Sequence, residues 1–119
     1  FGFKYGVPME SDLVFDVRFL PNPYYEEHLR TRTGEEKEVQ DFVKQGGTAD
    51  IFHGKAVRYD RSFFLPKYVL EGKNQLVIAI GCTGGKHRSI TFTELIGDYL
   101  ISKGMHVVKQ HRDIGKDRS

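Results

Sequence analysis

The sequence contains little cysteine and no long hydrophobic run, and both absences restrict what it can be. One cysteine in 119 residues permits neither an internal disulfide nor a multi-cysteine zinc site. No apolar run approaches the ~20 residues of a transmembrane helix, and no signal-type segment opens the chain. We therefore expect a protein of a reducing compartment, the cytoplasm, with no membrane partner.

The composition is that of one ordinary globular domain. The chain is 39% hydrophobic and 29% charged, and 18 Lys and Arg against 16 Asp and Glu give a net charge of +2. It begins at Phe1 rather than at Met, so we expect it to be a piece of a longer protein whose amino-terminal domain is absent.

The hydrophobic pattern predicts an α/β fold with a small, mainly parallel sheet and flanking helices. We expect strands at 12–19, 76–81 and 105–110, the middle one being the unbroken apolar run of a buried parallel strand. Helices are expected at 35–45 and at 56–70, the second interrupted at Pro66. A third helix carries an apolar stripe and ends at Lys103-Gly104; the stripe is Phe92, Leu95, Ile96, Tyr99 and Leu100.

A glycine-rich loop links the middle strand to the third helix. In open α/β sheets ligands bind beyond the carboxyl ends of strands, and a helix N-terminus attracts anions. The loop is therefore predicted to bind a phosphate-like group, with Lys86 and Arg88 as its cations. A Walker loop is excluded, because only three residues separate Gly81 from Gly85-Lys86 and His87 replaces the hydroxyl residue. The candidate ligand-binding residues here are Cys82, Thr83, Gly84, Gly85, Lys86, His87, Arg88 and Ser89.

The same loop has the C-x5-R-[ST] spacing of cysteine-dependent phosphatases, from Cys82 to Arg88-Ser89. In those enzymes a thiolate attacks phosphorus, and a helix N-terminus beside cations lowers a thiol pKa. Gly81 stands where such enzymes usually have histidine, and no general-acid loop is evident. We expect no enzymatic activity from this domain, with a phosphatase as the alternative; Cys82 as a plain buried residue also stays open.

Two further charged groups are expected near the loop. Asp16 and Arg18 end the first strand, and they would face the same crevice if that strand neighbours the middle one. The alternative is a solvated ion pair of little energetic value. The five histidines form no close metal-binding pair, so no metal site is predicted.

The carboxyl-terminal third is mildly basic, which permits RNA binding without requiring it. From Gly81 onward the sequence has seven Lys or Arg and four Asp or Glu, and no RNA-binding signature is present. Together with the resemblance below, the candidate RNA-binding residues are Lys4, Tyr24, Arg88, Lys109, His111, Arg112, Lys116 and Arg118.

Three ordered motifs resemble the carboxyl-terminal domain of the RapZ/YvcJ family of bacterial RNase adapters and nucleotide-binding proteins. They are FGFKYG at 1–6, VFDVRFLPNP at 14–23 and IGCTGGKHRS at 80–89, with His111-Arg112 behind them. The resemblance maps a family site onto Lys4, Asp16, Arg18, Cys82, Thr83, Gly84, His87 and Arg88. This chain departs from the RNA-binding members at Tyr24, where they have histidine, and in its sparser basic tail.

The resemblance implies a phosphofructokinase-like sheet that binds a phosphosugar, glucosamine 6-phosphate in the best-known members, and small regulatory RNA. It also implies presentation of that RNA to an endoribonuclease, control of amino-sugar metabolism and self-association into homo-oligomers. ATP and GTP are implied for an absent amino-terminal P-loop domain, and no cofactor is implied for this domain. A bare assembly domain for that NTPase is the remaining alternative.

Overall fold

The computed structural model describes residues 1–59 and 75–116, and within them the chain is an α/β domain. Two strands, β1 (Leu13–Asp16) and β2 (Ile78–Gly81), pair in parallel with Leu13 opposite Ile78. β2 is almost entirely buried, as its unalternated apolar run indicates. The predicted fold class is confirmed, and the structure shows that the first two predicted strands are neighbours.

β1 is shorter than the predicted strand at 12–19. After Asp16 the chain turns, and the N–H of Leu20 donates to the carbonyl of Val17 at 3.2 Å. Val17 and Leu20 are both buried in the core. Phe19, the last apolar residue of the alternating pattern, is exposed, so alternation alone does not mark where the ladder stops.

In the described ranges three α-helices flank the sheet: α1 (Lys37–Lys44), α2 (Thr48–Tyr59) and α3 (Arg88–Ser102). The helix predicted at 35–45 is confirmed as α1. The helix predicted at 56–70 starts too late, since α2 begins at Thr48, and its part beyond Tyr59, including Pro66, lies outside the described residues.

α3 ends where its sequence predicts. The N–H of Gly104 donates to the carbonyl of Ile101 at 2.9 Å, and Gly104 has a φ of +87°. Glycine adopts this left-handed conformation without the steric penalty of a Cβ, so it stops the helix after Lys103.

The prediction of a strand at 105–110 is wrong, because this segment pairs with no strand among the described residues. It is tied to α3 by a side chain instead. The ammonium of Lys109 bonds to Glu94 and to Asp98 at 2.6 Å each, and its stem covers Gly97. Ion pairing of this kind leaves no signature in hydrophobic periodicity.

The amino-terminal segment, rather than the predicted third strand, pairs with the chain at the end of β2. The N–H of Cys82 donates to the carbonyl of Phe1, and the N–H of Phe3 donates to the carbonyl of Cys82 (3.1 and 2.8 Å). The preceding carbonyl, of Gly81, accepts instead from Val17 on the β1 side. Because successive residues of a strand bond in opposite directions, the β2 chain lies between β1 and the amino-terminal segment.

One apolar core lies between the sheet and the helices. Phe92 of α3 is fully buried at its centre, where its ring contacts Phe52 of α2 at a centroid distance of 5.2 Å. The cluster comprises Val17, Leu20, Leu29, Val39, Val43, Ala49, Ala56, Ile80, Cys82, Phe92 and Ile96. None of the helices in the described part of the chain is long and apolar enough to cross a membrane.

Candidate functional site

The glycine-rich loop leaves the carboxyl end of β2 and enters α3, as predicted. At Gly85 it takes a φ of +78°, and a Cβ there would lie 2.6 Å from the nitrogen of Gly2. A Cβ on Gly2 would lie 2.5 Å from the carbonyl carbon of Gly84. The loop therefore requires glycine at these positions, because two backbones approach closer than any side chain allows.

A pocket of about 290 Å³ opens beside this loop. Its walls combine the loop with the start of the chain and with the turn after β1. The lining residues are Lys4, Asn22, Tyr24, Tyr25, Cys82, Thr83, Gly84, Lys86, His87 and Arg88. The described lining contains two lysines, an arginine and no carboxylate, so the pocket is electropositive. The amino-terminal end of α3 adds the positive end of its dipole.

Lys86 is the cation with the clearest role in this pocket. Its residue is only 7% exposed, and its side chain lines the cavity. Among the residues that the structure describes, its ammonium has no hydrogen-bond acceptor or carboxylate partner. The side chain brings its positive charge to the cavity, so an anion in the pocket would supply the partner that the described residues do not.

Arg88 also borders the pocket, but its guanidinium is engaged by the protein. One terminal nitrogen donates to the carbonyls of Arg18 and Leu20, and the other donates to the hydroxyl of Thr83 at 3.3 Å. The side chain thus joins the segment after β1 to the glycine-rich loop. In this structure Arg88 builds the wall of the pocket, and its role as a phosphate-binding cation stays a prediction.

Cys82 lies at the base of the pocket and is 3% exposed. Its sulfur is 3.3 Å from the hydroxyl of Ser89. Burial raises the pKa of the thiol, but hydrogen bonds from Ser89 and from the Gly85 amide outweigh burial and lower the pKa below its usual 9.0. Part of the loop is therefore organised around this sulfur.

His87, the last residue before α3, is fixed by contacts on both sides. Its ring nitrogen Nε2 lies 3.2 Å from the carbonyl of Arg30, and its own carbonyl accepts from the backbone and hydroxyl of Thr91. His87 is 6% exposed and lines the pocket. It is thus a rigid part of the wall.

Asp16 and Arg18 lie on the predicted side of the sheet but outside the pocket lining of the described residues. They form an exposed bidentate ion pair, with Arg18 Nη2 at 2.7 Å from Asp16 Oδ2. The Arg18 hydrogen bonds lower the pKa of the Asp16 carboxyl. The guanidinium also stacks over the ring of Phe3, 4.2 Å from its centroid. The arrangement is the solvated ion pair that was the alternative for these two residues.

The candidate RNA-binding residues separate into two groups. Lys4, Tyr24 and Arg88 line the pocket. The others face acidic partners of the same domain: Lys109 and His111 contact Glu94, while Arg112 and Lys116 contact Asp113. Arg118 lies outside the described residues. Internal ion pairs thus neutralise much of the basic character of the carboxyl-terminal segment.

Sequence reasoning missed two pocket residues, Asn22 and Tyr25. The Asn22 side chain caps a short 3₁₀ turn, Pro23–Tyr25, by accepting from the N–H of Tyr24 at 3.1 Å. The turn presents both tyrosines to the pocket, and Tyr25 is 78% exposed. Their position in the sequence could have indicated them, because the segment after β1 reaches the same sheet edge as the glycine-rich loop.

Comparison with known proteins agrees with the resemblance in the three motifs. The family model described as the RapZ C-terminal domain matches residues 1–115. A nucleotide-binding protein of Halothermothrix orenii is 54% identical over 117 residues, which are 98% of this chain and 41% of that protein.

Two further relatives show the same coverage. A nucleotide-binding protein of Clostridioides difficile is 54% identical over 95% of the chain and 39% of its own length. The nucleotide-binding protein YvcJ of Bacillus subtilis is 53% identical over 98% of the chain and 39% of its own length. The chain thus spans about two fifths of these relatives, and it belongs to the RapZ C-terminal domain family.

Proposed function

We propose that this domain is a sensor that binds an amino-sugar phosphate, with glucosamine 6-phosphate as its ligand. The observation that carries the proposal is Lys86, a largely buried residue in an electropositive pocket, whose ammonium has no partner among the described residues. A phosphate beside Lys86 would also be near Lys4 and the amino-terminal end of α3, which favour the same charge. A sugar phosphate fits the rest of the lining, because Asn22, Tyr24 and Thr83 offer hydrogen-bonding groups for hydroxyls.

Selectivity for an amino sugar requires an acceptor for its ammonium group. Asp16 offers a carboxylate at this sheet edge, at the end of β1, where Arg18 now holds it. We propose that Asp16 binds the amino group. It would exchange its exposed ion pair with Arg18 for one with the ligand's ammonium, at little cost in free energy. Asp16→Asn is expected to remove the preference for glucosamine 6-phosphate over glucose 6-phosphate while retaining phosphate affinity.

Calorimetric titration with matched lysine variants tests the proposal. Glucosamine 6-phosphate, glucose 6-phosphate and inorganic phosphate are titrated into the domain, into Lys86→Met and into Lys103→Met. Lys103 is exposed and lies at the opposite end of α3, so its loss is the matched control. Saturable binding that favours the amino sugar, weakens with Lys86→Met and survives Lys103→Met supports the sensor. Equal weak binding of every anion would reduce the site to an unspecific phosphate cradle.

Small regulatory RNA is the proposed second ligand of the same pocket. Tyr24 and Tyr25 form an edge-to-face pair at its wall, with ring centroids 5.5 Å apart, and Lys4 lies nearby. Aromatic side chains beside cations are the common means of holding single-stranded RNA. One phosphate cradle cannot hold a sugar phosphate and an RNA phosphate together, so glucosamine 6-phosphate is expected to displace RNA. Simultaneous saturation by both ligands would refute the shared site.

A cysteine-dependent phosphatase is the second candidate, favoured by the lowered pKa of the Cys82 thiol in a C-x5-R loop. Against it, the Arg88 guanidinium is bonded to backbone carbonyls and Thr83 rather than left for a phosphate. A phosphatase would hydrolyse an aryl phosphate, and Cys82→Ser would abolish that turnover while leaving anion binding intact. The sensor predicts no turnover by the unsubstituted domain.

We further propose that the parent protein is a cytoplasmic, homo-oligomeric RNase adapter that works with an endoribonuclease. The relatives are named nucleotide-binding proteins, and this chain matches about 40% of their length without a Walker motif. We therefore place ATP or GTP binding in the other part of the parent. Nucleotide binding by the full-length protein but not by this chain would support that division; equal binding by both would contradict it.

A further inference from the structure

Asp113 is a buried carboxylate outside the pocket lining of the described residues. Arg112 donates to both of its oxygens at 2.9 and 2.8 Å, the Lys116 ammonium lies 2.8 Å from one, and the N–H of Gly2 donates to the other at 2.8 Å. Burial raises the pKa of this carboxyl, but these donors outweigh burial and hold the pKa well below its usual range. Asp113 is therefore a charged, fully bonded junction.

Asp113 and its partner Arg112 hold both ends of the element that carries Lys4. That element is a 3₁₀ turn, Phe3–Tyr5, which follows Gly2 and is followed by Gly6. Asp113 binds the N–H of Gly2 before the turn, and Arg112 donates to the carbonyl of Gly6 after it, at 2.7 Å.

Asp113 also contacts the glycine-rich loop from behind. A Cβ on Gly85 would lie 3.0 Å from the Asp113 Cβ and 2.6 Å from the Gly2 nitrogen. The three residues thus meet at one point without room for another methyl group. Gly2 in turn packs on the backbone of Gly84. Asp113 therefore bonds to the segment that brings Lys4 to the pocket and packs against the loop that brings Lys86 there.

We infer that Asp113 is a positioning residue of the anion pocket, which sets the placement of Lys4 relative to the glycine-rich loop through Gly2 and Arg112. The inference rests on the proposed function, since it explains how two cations on separate segments are presented to one phosphate. It also assigns Arg112 an internal role in place of an RNA contact. Placement within about 0.5 Å is what such supporting residues provide to a binding site.

The chain offers a matched control for Asp113. Glu94 is a second acidic anchor of the same carboxyl-terminal segment: it bonds to Lys109 at 2.6 Å and to His111 at 3.0 Å, but it lies outside the pocket lining. Asp113→Asn and Glu94→Gln each remove one buried or half-buried charge from this segment. If anchoring of the segment were all that mattered, the two variants would behave alike.

The first test measures affinity for glucosamine 6-phosphate in a double-mutant cycle with Lys4→Met. We expect Asp113→Asn to weaken binding about tenfold in the unsubstituted background and less than twofold when Lys4 is already Met, because the effect acts through Lys4. Glu94→Gln is expected to change affinity less than twofold. Equal weakening by Asp113→Asn in both backgrounds would overturn the inference, since a merely structural role lowers both alike.

The second test needs no ligand and so separates this inference from the proposed function. Amide hydrogen exchange is followed at Phe3, Lys4 and Cys82, whose N–H groups join the amino-terminal segment to the loop. Asp113→Asn is expected to accelerate exchange at these amides selectively, and Glu94→Gln is not. Unchanged exchange would overturn the inference even if the sugar phosphate binds, whereas selective acceleration supports it even if no sugar phosphate binds and the sensor proposal fails.

Discussion

Replacing Lys86 by Met separates binding from stability. The Lys86 ammonium lines the pocket and has no partner among the described residues, while its stem is buried. Met preserves most of the stem, so we expect the free energy of unfolding without ligand to change by less than about 1 kcal/mol. A hydrogen bond to a charged group is worth about 1.5–3 kcal/mol, so affinity for a phosphate compound should fall roughly 10- to 100-fold.

Arg88→Met is the comparison variant for Lys86→Met. It removes a second cation from the same loop, but one that donates to the carbonyls of Arg18 and Leu20. Each buried acceptor left without a donor costs about 1–3 kcal/mol, so Arg88→Met should lower the free energy of unfolding by roughly 2–5 kcal/mol. At about 3–6 °C per kcal/mol for a domain of this length, its Tm should fall by roughly 6–30 °C.

Thermal unfolding without ligand and calorimetric titration of glucosamine 6-phosphate together give both quantities. The account predicts that Lys86→Met keeps its Tm and loses affinity, whereas Arg88→Met loses Tm. Equal loss of Tm in the two variants would refute the assignment of Lys86 to ligand binding and of Arg88 to the wall. Unchanged affinity in Lys86→Met would refute it as well.

Three further predictions concern the framework of the site. Gly85→Ala should lower the free energy of unfolding by several kcal/mol, because the φ of Gly85 is +78° and an added Cβ would clash with Gly2. Gly104→Ala should lower it by only about 1 kcal/mol, because Gly104 has a φ of +87° but open space around it. Urea unfolding measures both values. Phe92→Ala, at a fully buried position, should cost about 3–5 kcal/mol, and a loss below 1 kcal/mol would contradict its central place in the core. Because the pKa of Asp113 is lowered by folding, its stabilisation is complete above the unfolded value near 3.8 and is lost as the pH falls below it; Asp113→Asn should flatten this acid limb of the stability curve, and an unchanged limb would contradict the ion pairs.

The central unit of the fold could be predicted because each part has a strong local signal. The apolar run of β2 has no polar alternation, the loop after it contains two glycines, and α3 shows a clear helical stripe with a glycine stop at Gly104. The position of the pocket followed from this order of elements, since ligands gather beyond the carboxyl ends of parallel strands. Lys86 and His87 were identified in this way.

The errors have a common physical cause, because each depends on contacts between residues distant in sequence. The segment at 105–110 has the composition of a strand, but the Lys109 ion pairs with α3 fix it beside the helix. The contacts of Arg88 with two carbonyls after β1 were missed for the same reason. The role inferred for Asp113 depends on its hydrogen bond from Gly2, 111 residues away along the chain. No local sequence pattern indicates a contact between residues so far apart.

The most direct test of the account is to locate where glucosamine 6-phosphate binds, by following backbone amide resonances of the domain during titration. The account predicts saturable shifts at Lys4 and across the loop from Cys82 to Arg88, with the exposed end of α3 near Lys103 unaffected. Saturable shifts confined to another surface, or none at these residues, would contradict the claim that this pocket is the ligand site of the domain.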